Sequence, residues 1–460
     1  MLSGKRIDWP FYKRVLMVAL PIMIQNGITN FVSLLDNVMV GQVGTVQMSG
    51  VAIVNQLMFV FNLCVFGATS GAGIFTAQFH GSGNAKGIRD TFRFKVAVAI
   101  VLAAAGIGIF LTCGDALIGL YLEGDPGSPE AMETLRYGRD YLIAALFGLV
   151  PFALANAYSG TLRETGQTAV PMAAGIAAMF VNLGLNYVLI FGHFGAPELG
   201  VVGAAVATAI SRYVELAIVA IWTHSHEKEC LFIRGAYRSL RIPGELMKKI
   251  IVKGMPLLVN EFLWSTGMAF LSQCYSTRGL AVVAAFNIAT TISQVSNVVF
   301  LSLGNAVGIL MGQMLGAGLS EAEIRRDNRR MIGLSVGVCF GIGGAVIALS
   351  RLFPMMYNTT DEVRAIASGL ICITAVMMPV NSYNNAMYFT LRSGGQTFIT
   401  FLFDSGFTWA VCVPVAYALS RFTGLSILPL YALCVGLDVL KIGLGAWFLK
   451  KGTWINRLAE

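Results

Sequence analysis

Long apolar stretches, broken at intervals by short polar or charged segments, run through the chain from one end to the other. Runs of spanning length occur at 12–40, 51–79, 92–113, 137–161, 168–192 and 199–223, and again at 247–275, 281–315, 331–350, 365–390, 397–420 and 427–450. A helix needs about 20 predominantly apolar residues to cross a bilayer core. The pattern therefore predicts twelve transmembrane helices in two sets of six, separated by the polar stretch 224–246. The first run is too long for the apolar core of a cleaved signal peptide and lacks a small-residue cleavage site, so it reads as the first spanning helix.

Composition narrows the class. Of 460 residues, 56% are apolar and 12% are charged, against about 25% charged in soluble domains, and the mean hydropathy is +0.71. Twelve spans use almost the whole chain, so whatever the protein does is done by its membrane part. The net charge of +8 would suggest nucleic acid in a soluble protein; here it follows the rule that loops on the cytoplasmic side carry the Lys and Arg. With the N-terminus cytoplasmic, inside segments hold 24 basic residues, beginning with Lys5, Arg6, Lys13 and Arg14, and outside segments hold six. That imbalance predicts a multi-pass membrane protein with both termini cytoplasmic, and no nucleic-acid partner. The eight cysteines show no CxxC and no paired loop spacing, so neither a disulfide framework nor a metal cluster is expected. His224 and His226 lack partners at zinc-ligand spacing. Gly81-Ser-Gly-Asn-Ala-Lys86 is not a nucleotide loop, and neither GxSxG nor HExxH occurs. The chain is expected to be neither an ATP-driven motor nor an enzyme, with no cofactor and no metal.

The two sets of six resemble one another. Gln78-Phe-His-Gly81-Ser-Gly83 matches Gln313-Met-Leu-Gly316-Ala-Gly318 at an offset of 235, which also carries Pro21 onto Pro256 and Gly73 onto Gly308. Leu162-Arg163-Glu-Thr-Gly166-Gln167-Thr168 matches Leu391-Arg392-Ser-Gly-Gly395-Gln396-Thr397 at an offset of 229, which places Arg212 onto Lys441. This is an internal duplication. Six spans per copy give both copies the same orientation, with a pseudo-two-fold axis along the membrane normal. The expected fold is an all-α polytopic membrane protein: twelve transmembrane helices in two six-helix bundles, with an N-lobe at 1–223 (spans 1–6), a cytoplasmic interlobe linker at 224–246 and a C-lobe at 247–460 (spans 7–12). Two such bundles enclosing a cleft are the architecture of an alternating-access transporter. The Gly67-x3-Gly71, Gly304-x3-Gly308 and Gly333-x3-Gly337 spacings are expected to pack helices closely.

Seven ionisable residues lie well inside the spans: Asp36, Arg212, Glu215, Glu261, Asp404, Asp438 and Lys441. Each costs about 2.5–3.5 kcal/mol at the bilayer centre on an insertion scale, so each must be paired, protonated or wet. Arg212 with Glu215, and Asp438 with Lys441, are three residues apart on one helix face and form candidate intramembrane ion pairs, structural or functional. Asp36, Glu261 and Asp404 have no cation nearby in sequence. Each is either a protonated carboxyl in a dry bundle or a carboxylate facing a wet cleft, where it can exchange H⁺ or Na⁺ and carry a cationic substrate. Asp36 is the strongest case. Asn182 and Asn186 share one face of the fifth span, and Asn156 and Thr208 add oxygens, giving the single-charge oxygen cluster that a hard monovalent cation needs.

In this order on twelve spans, the motifs resemble the multidrug and toxic compound extrusion (MATE) family. The residues that carry the resemblance are Pro21 in a first helix ending Asp36-Asn-Val-Met-Val-Gly41, the Ala77-Gln78-x-x-Gly81 turn with its copy Gly312-Gln313-x-x-Gly316, the Leu162-Arg163-x-x-Gly166 turn, and Asn182-x3-Asn186 before Ile190-Phe-Gly192. The resemblance is closer to the DinF-like bacterial branch than to the NorM-like one. It implies a two-lobe antiporter, expected as a monomer among membrane lipids, that exports small organic cations or amphipathic toxins in exchange for H⁺ or Na⁺. It also implies that Asp36 with Asn156, Asn182, Asn186 and Thr208 forms the cation-coupling site. Two departures accompany it. Asn186 stands where the archaeal-type pattern has Asp. The NorM-type pair of acids on spans seven and ten is represented here by Glu261 and by Asn381, Asn384 and Asn385, with Asp404 on span eleven as the candidate substitute in a second-lobe substrate cleft. A lipid-linked oligosaccharide flippase of the same superfamily is the alternative; it calls for a strongly cationic cleft and usually fourteen spans.

Overall fold

The computed structural model describes residues 8–122, 128–239, 241–357 and 359–459; Lys5 and Arg6 of the charge count lie outside them. Among the described residues all regular structure is helical. The helices are α1 Trp9–Gly41, α2 Thr45–Gly81, α3 Ala85–Gly119, α4 Pro129–Leu146, α5 Leu149–Glu164, α6 Ala169–Phe191, α7 Gly200–Ser225, α8 Gly244–Ser276, α9 Leu280–Gly316, α10 Glu321–Leu349, the single turn α11 Leu352–Met355, α12 Asp361–Ser393, α13 Thr397–Phe422 and α14 Ile427–Lys451. Ten are long and apolar enough to cross a membrane, and α4 with α5 makes an eleventh span. The twelfth segment, α8, is 33 residues long but carries Lys248, Lys249, Lys253 and Glu261.

Two spans depart from the regular helices expected of them. The fourth is broken, α4 and α5 meeting at 47°. Pro151 has no N–H for the carbonyl one turn earlier and its ring crowds that carbonyl, so the helix parts at Phe147 and Gly148. The eleventh widens into π-helical turns at Leu402–Gly406 and Thr408–Cys412, ending just before Pro414, which again supplies no donor to the preceding turn. Of the glycine spacings, Gly71 lies against the Gly254 backbone, and Gly304 and Gly308 lie against Asn385 and Phe389. Gly333 and Gly337 meet nothing within 4 Å, so that pair is an exposed face rather than a packing seam.

Packing divides the chain into two compact units: Met1–Met23, Ala77–Gly83 and Val259–Glu460 form one, and Ile24–Thr76 with Asn84–Leu258 the other. In the first, Val15, Val18, Ala19 and Ile22 of α1 are buried among residues of α9, α10 and α12. There the duplicated turns cross: a methyl group on Gly81 would strike the Gln313 carbonyl, and one on Gly316 the Gln78 carbonyl. The Gln78 side chain donates to the carbonyls of Ser393 (2.9 Å) and Asn456 (3.1 Å) and accepts from the Leu458 amide (2.6 Å). In the second unit, the stretch after α7 is docked. Arg89 and Arg93 of α3 donate to the carbonyls of Phe232, Gly235 and Ala236 at 2.8–3.3 Å, while Phe232 and Ile233 are buried.

Candidate functional site

Within the second unit, α1, α2 and α4 to α7 enclose a cavity of about 520 Å³, in the range that holds a drug-sized molecule. Its walls depend on small residues. Gly175 of α6 admits Gln25 of α1, and Gly203 of α7 lies so close to the Leu189 carbonyl of α6 that any side chain there would collide. Hence α6 and α7 pack backbone to backbone, and the polar residues between them meet. Asp36 of α1 accepts a hydrogen bond from Asn186 Nδ2 at 2.5 Å. The same amide nitrogen reaches Asn182 Oδ1 at 3.2 Å, and Asn182 Nδ2 donates to Thr208 Oγ1 at 3.2 Å. Asp36, Asn182 and Thr208 face the cavity; Asn186 is wholly buried and its Oδ1 has no hydrogen-bond partner among the described residues. Four of the five residues of the expected cluster thus form one chain. The fifth, Asn156, instead accepts from Thr69 Oγ1 at 3.3 Å.

One helical turn beyond Thr208, Arg212 pairs with Glu215 at 3.0 Å and stacks over Phe152 at 5.1 Å. Both side chains open on the cavity, and Asp36 lies within electrostatic reach of Arg212. Tyr141 and Asn55, joined at 3.2 Å, and Gln25, which accepts from Arg163 at 2.9 Å, add to the polar lining.

The other unit holds a second polar cluster. Asp404, on the first π-helical turn of α13, accepts from Asn260 Nδ2 at 3.0 Å, and Ser405 Oγ donates to Asn260 Oδ1 at 2.7 Å. Asn260 also donates to the Tyr388 hydroxyl at 3.5 Å. Glu261 lies within electrostatic reach of Arg392 and Asp404. Lys441 and Asp438 pair at 3.0 Å, with the ammonium 5.0 Å above the Phe407 ring. Asn384 donates to the Asp438 carbonyl at 2.9 Å, while Asn385 Oδ1 is buried without a partner among the described residues. Asn381 stands half-buried one turn earlier on α12.

Two polar sites were not singled out from sequence. Asn260 is the bridge between α8 and Asp404, although its offset of 235 from Gln25 marks it as a repeat position. Lys95, counted among the loop charges, is 1% exposed inside α3 and pairs there with Glu164; an acid three residues before the repeated Gln167-Thr168 was its only signal.

Twelve segments of spanning length in duplicated halves, with polar clusters around Asp36 and Asp404 inside the helical walls, define a polytopic membrane protein of the transporter class. The MatE family model matches residues 21–188 and 256–418, one match in each half, and the chain belongs to that family. It is 26% identical over 453 residues to the "Probable multidrug resistance protein NorM" of Thermotoga maritima, covering 97% of this chain and 93% of that one. To the "Probable multidrug resistance protein YoeA" of Bacillus subtilis it is 26% identical over 438 residues, 93% and 91% of the two chains. Among solved structures, the MATE transporter VcmN of Vibrio cholerae superposes with a TM-score of 0.84 at 18% identity, covering 96% of this chain and 97% of that one.

Proposed function

We propose that this protein is a multidrug exporter of the bacterial inner membrane, with both termini cytoplasmic, working as a monomer among membrane lipids. It expels small organic cations or amphipathic toxins by H⁺ or Na⁺ antiport through alternating access. The observation that carries the proposal is the chain Asp36, Asn186, Asn182, Thr208, which opens on a cavity and leaves one buried amide oxygen unpartnered beside the carboxylate. A buried acceptor without a partner is costly; a proton on Asp36, a coordinated Na⁺ or a cation-bound water supplies what it lacks. Loading the site changes the charge of α1 by one unit inside the bilayer, where one charge is a large term. When one net elementary charge moves inward per cycle through about 150 mV, as when a neutral amphipath leaves for one entering ion or a monocation for two, about 3.5 kcal/mol is released, enough for a substrate gradient of a few hundredfold. Glu261 and Asp404 attract the cationic substrate in the C-lobe.

The flippase alternative finds less support, because the cavity sets Asp36 and Glu215 against the single Arg212 and is not strongly cationic. The test is transport in proteoliposomes with H⁺ and Na⁺ gradients imposed independently. Asp36→Asn is expected to abolish efflux driven by whichever ion drives the wild type; undiminished efflux under both gradients would overturn the coupling role.

A further inference from the structure

An arginine inside a cavity meant only for cations needs a reason. Arg212 could serve simply to neutralise Glu215, but that pairing engages one guanidinium nitrogen, Nη1, at 3.0 Å. The Phe152 ring centroid lies 5.1 Å from the guanidinium carbon, and the side chain lines the cavity and remains 31% exposed. A guanidinium is a flat fork of five N–H donors that matches a carboxylate with two parallel bonds. With Nη1 turned to Glu215, the rest of the fork has no protein partner among the described residues. A cation-exchange site alone gives no use for such a fork.

The arrangement has a direction and a length. Thr208, Arg212 and Glu215 lie on one face of α7, and Thr208 is the end of the chain that starts at Asp36. Four residues of helix rise about 6 Å, so the Arg212 guanidinium stands about one helical turn beyond Thr208, at the far end of the chain from Asp36. The aromatic and thioether side chains of Phe59, Met58 and Met179 cover the wall between polar groups.

Resting on the exporter reading above, we propose that Arg212 forms a carboxylate-recognising subsite in the N-lobe cavity. The substrates it selects are zwitterionic amphipaths: a cationic, flat apolar body directed toward Asp36 and a carboxylate received by the free edge of the Arg212 guanidinium. Glu215 is a positioning residue that orients the fork and competes with the substrate carboxylate for it.

The test uses a matched fluorescent pair, rhodamine 110, a zwitterion with a free carboxylate, and rhodamine 123, its cationic methyl ester, with the purified full-length protein. Arg212→Gln/Glu215→Gln removes both charges together and leaves no unpaired acid. It is expected to weaken rhodamine 110 binding about tenfold, the usual loss for a charge-assisted hydrogen bond, while rhodamine 123 binding changes less than about twofold and shows that the cavity is intact. Glu215→Gln alone, which releases the guanidinium, is expected to strengthen rhodamine 110 binding. Equal weakening of both dyes, or no change in either, overturns the subsite, as does a wild type that binds rhodamine 123 but not rhodamine 110. In proteoliposomes, a wild type that binds both dyes and pumps neither counts against the exporter reading and leaves the subsite standing; a wild type that binds neither dye overturns both.

Discussion

Lys95 and Glu164 meet inside the second unit, where Lys95 also reaches the Thr161 hydroxyl at 3.4 Å. Removing one member of such a buried pair leaves the other charge stranded, a loss of about 3–5 kcal/mol, whereas removing both is far milder. Lys95→Met should therefore lower the thermal unfolding temperature of the purified protein sharply, and Lys95→Met/Glu164→Gln should recover most of the loss. A second expectation concerns Cys230, in the docked stretch after α7. Burial, and then the charge of Glu229, push its thiol up to about 11. The reactive thiolate is then scarce at neutral pH, so maleimide at pH 7.5 should label the exposed Cys113 quickly and Cys230 only after denaturation. Much of the main site was legible at this scale: a lone in-span acid and two asparagines four apart mark a shared face whatever the tertiary fold. Asn260 and Lys95 were not legible, since an amide or an ammonium along a helix becomes a buried partner only when another helix closes over it.

Among the elements, the repeated Gln-x-x-Gly turns show why a duplication retains the residues it does. Gly81 and Gly316 are the points where two backbones cross without room for a methyl group. Gly81→Ala and Gly316→Ala should each reduce the yield of folded protein and its thermal stability, whereas Gly184→Ala, which meets nothing within 4 Å, should be neutral or slightly stabilising through better helix propensity. Size-exclusion profiles and unfolding temperatures of the three variants decide the matter. The spans themselves were readable as apolar runs because lipid requires them. The 47° break between α4 and α5 and the widened turns of α13 were not, although Pro151 and Pro414 stand beside them: a proline permits a distortion, and packing sets its size.

For the whole molecule, the compact units do not follow the chain as two consecutive halves. Residues 9–23 of α1 and the turn Ala77–Gly83 pack with the residues from Val259 onward, and α8 up to Leu258 packs with the first half. The last residues belong to this framework, with Trp454 1% exposed and the Asn456 carbonyl and Leu458 amide bound to Gln78. Residues 247–460 expressed alone should therefore be degraded or aggregate, because the groove for Val15, Val18, Ala19 and Ile22 is left open, and co-expression with 1–246 should rescue both fragments. A stable, monodisperse 247–460 fragment would contradict this.

What the sequence determined by itself was everything that the bilayer demands residue by residue: helical spans, because an apolar solvent leaves the backbone no other partner; the duplicated halves; and the few charges too costly to be accidental. Only the tertiary structure decided which of those charges meet. Asp404 finds Asn260, 144 residues away, Asn156, expected beside Asp36, finds Thr69 instead, and Lys95 finds Glu164 on another helix. Partner choice within a membrane bundle depends on which small residues let two helices close and which proline bends a third. Those are properties of the packed whole, and no local pattern encodes them.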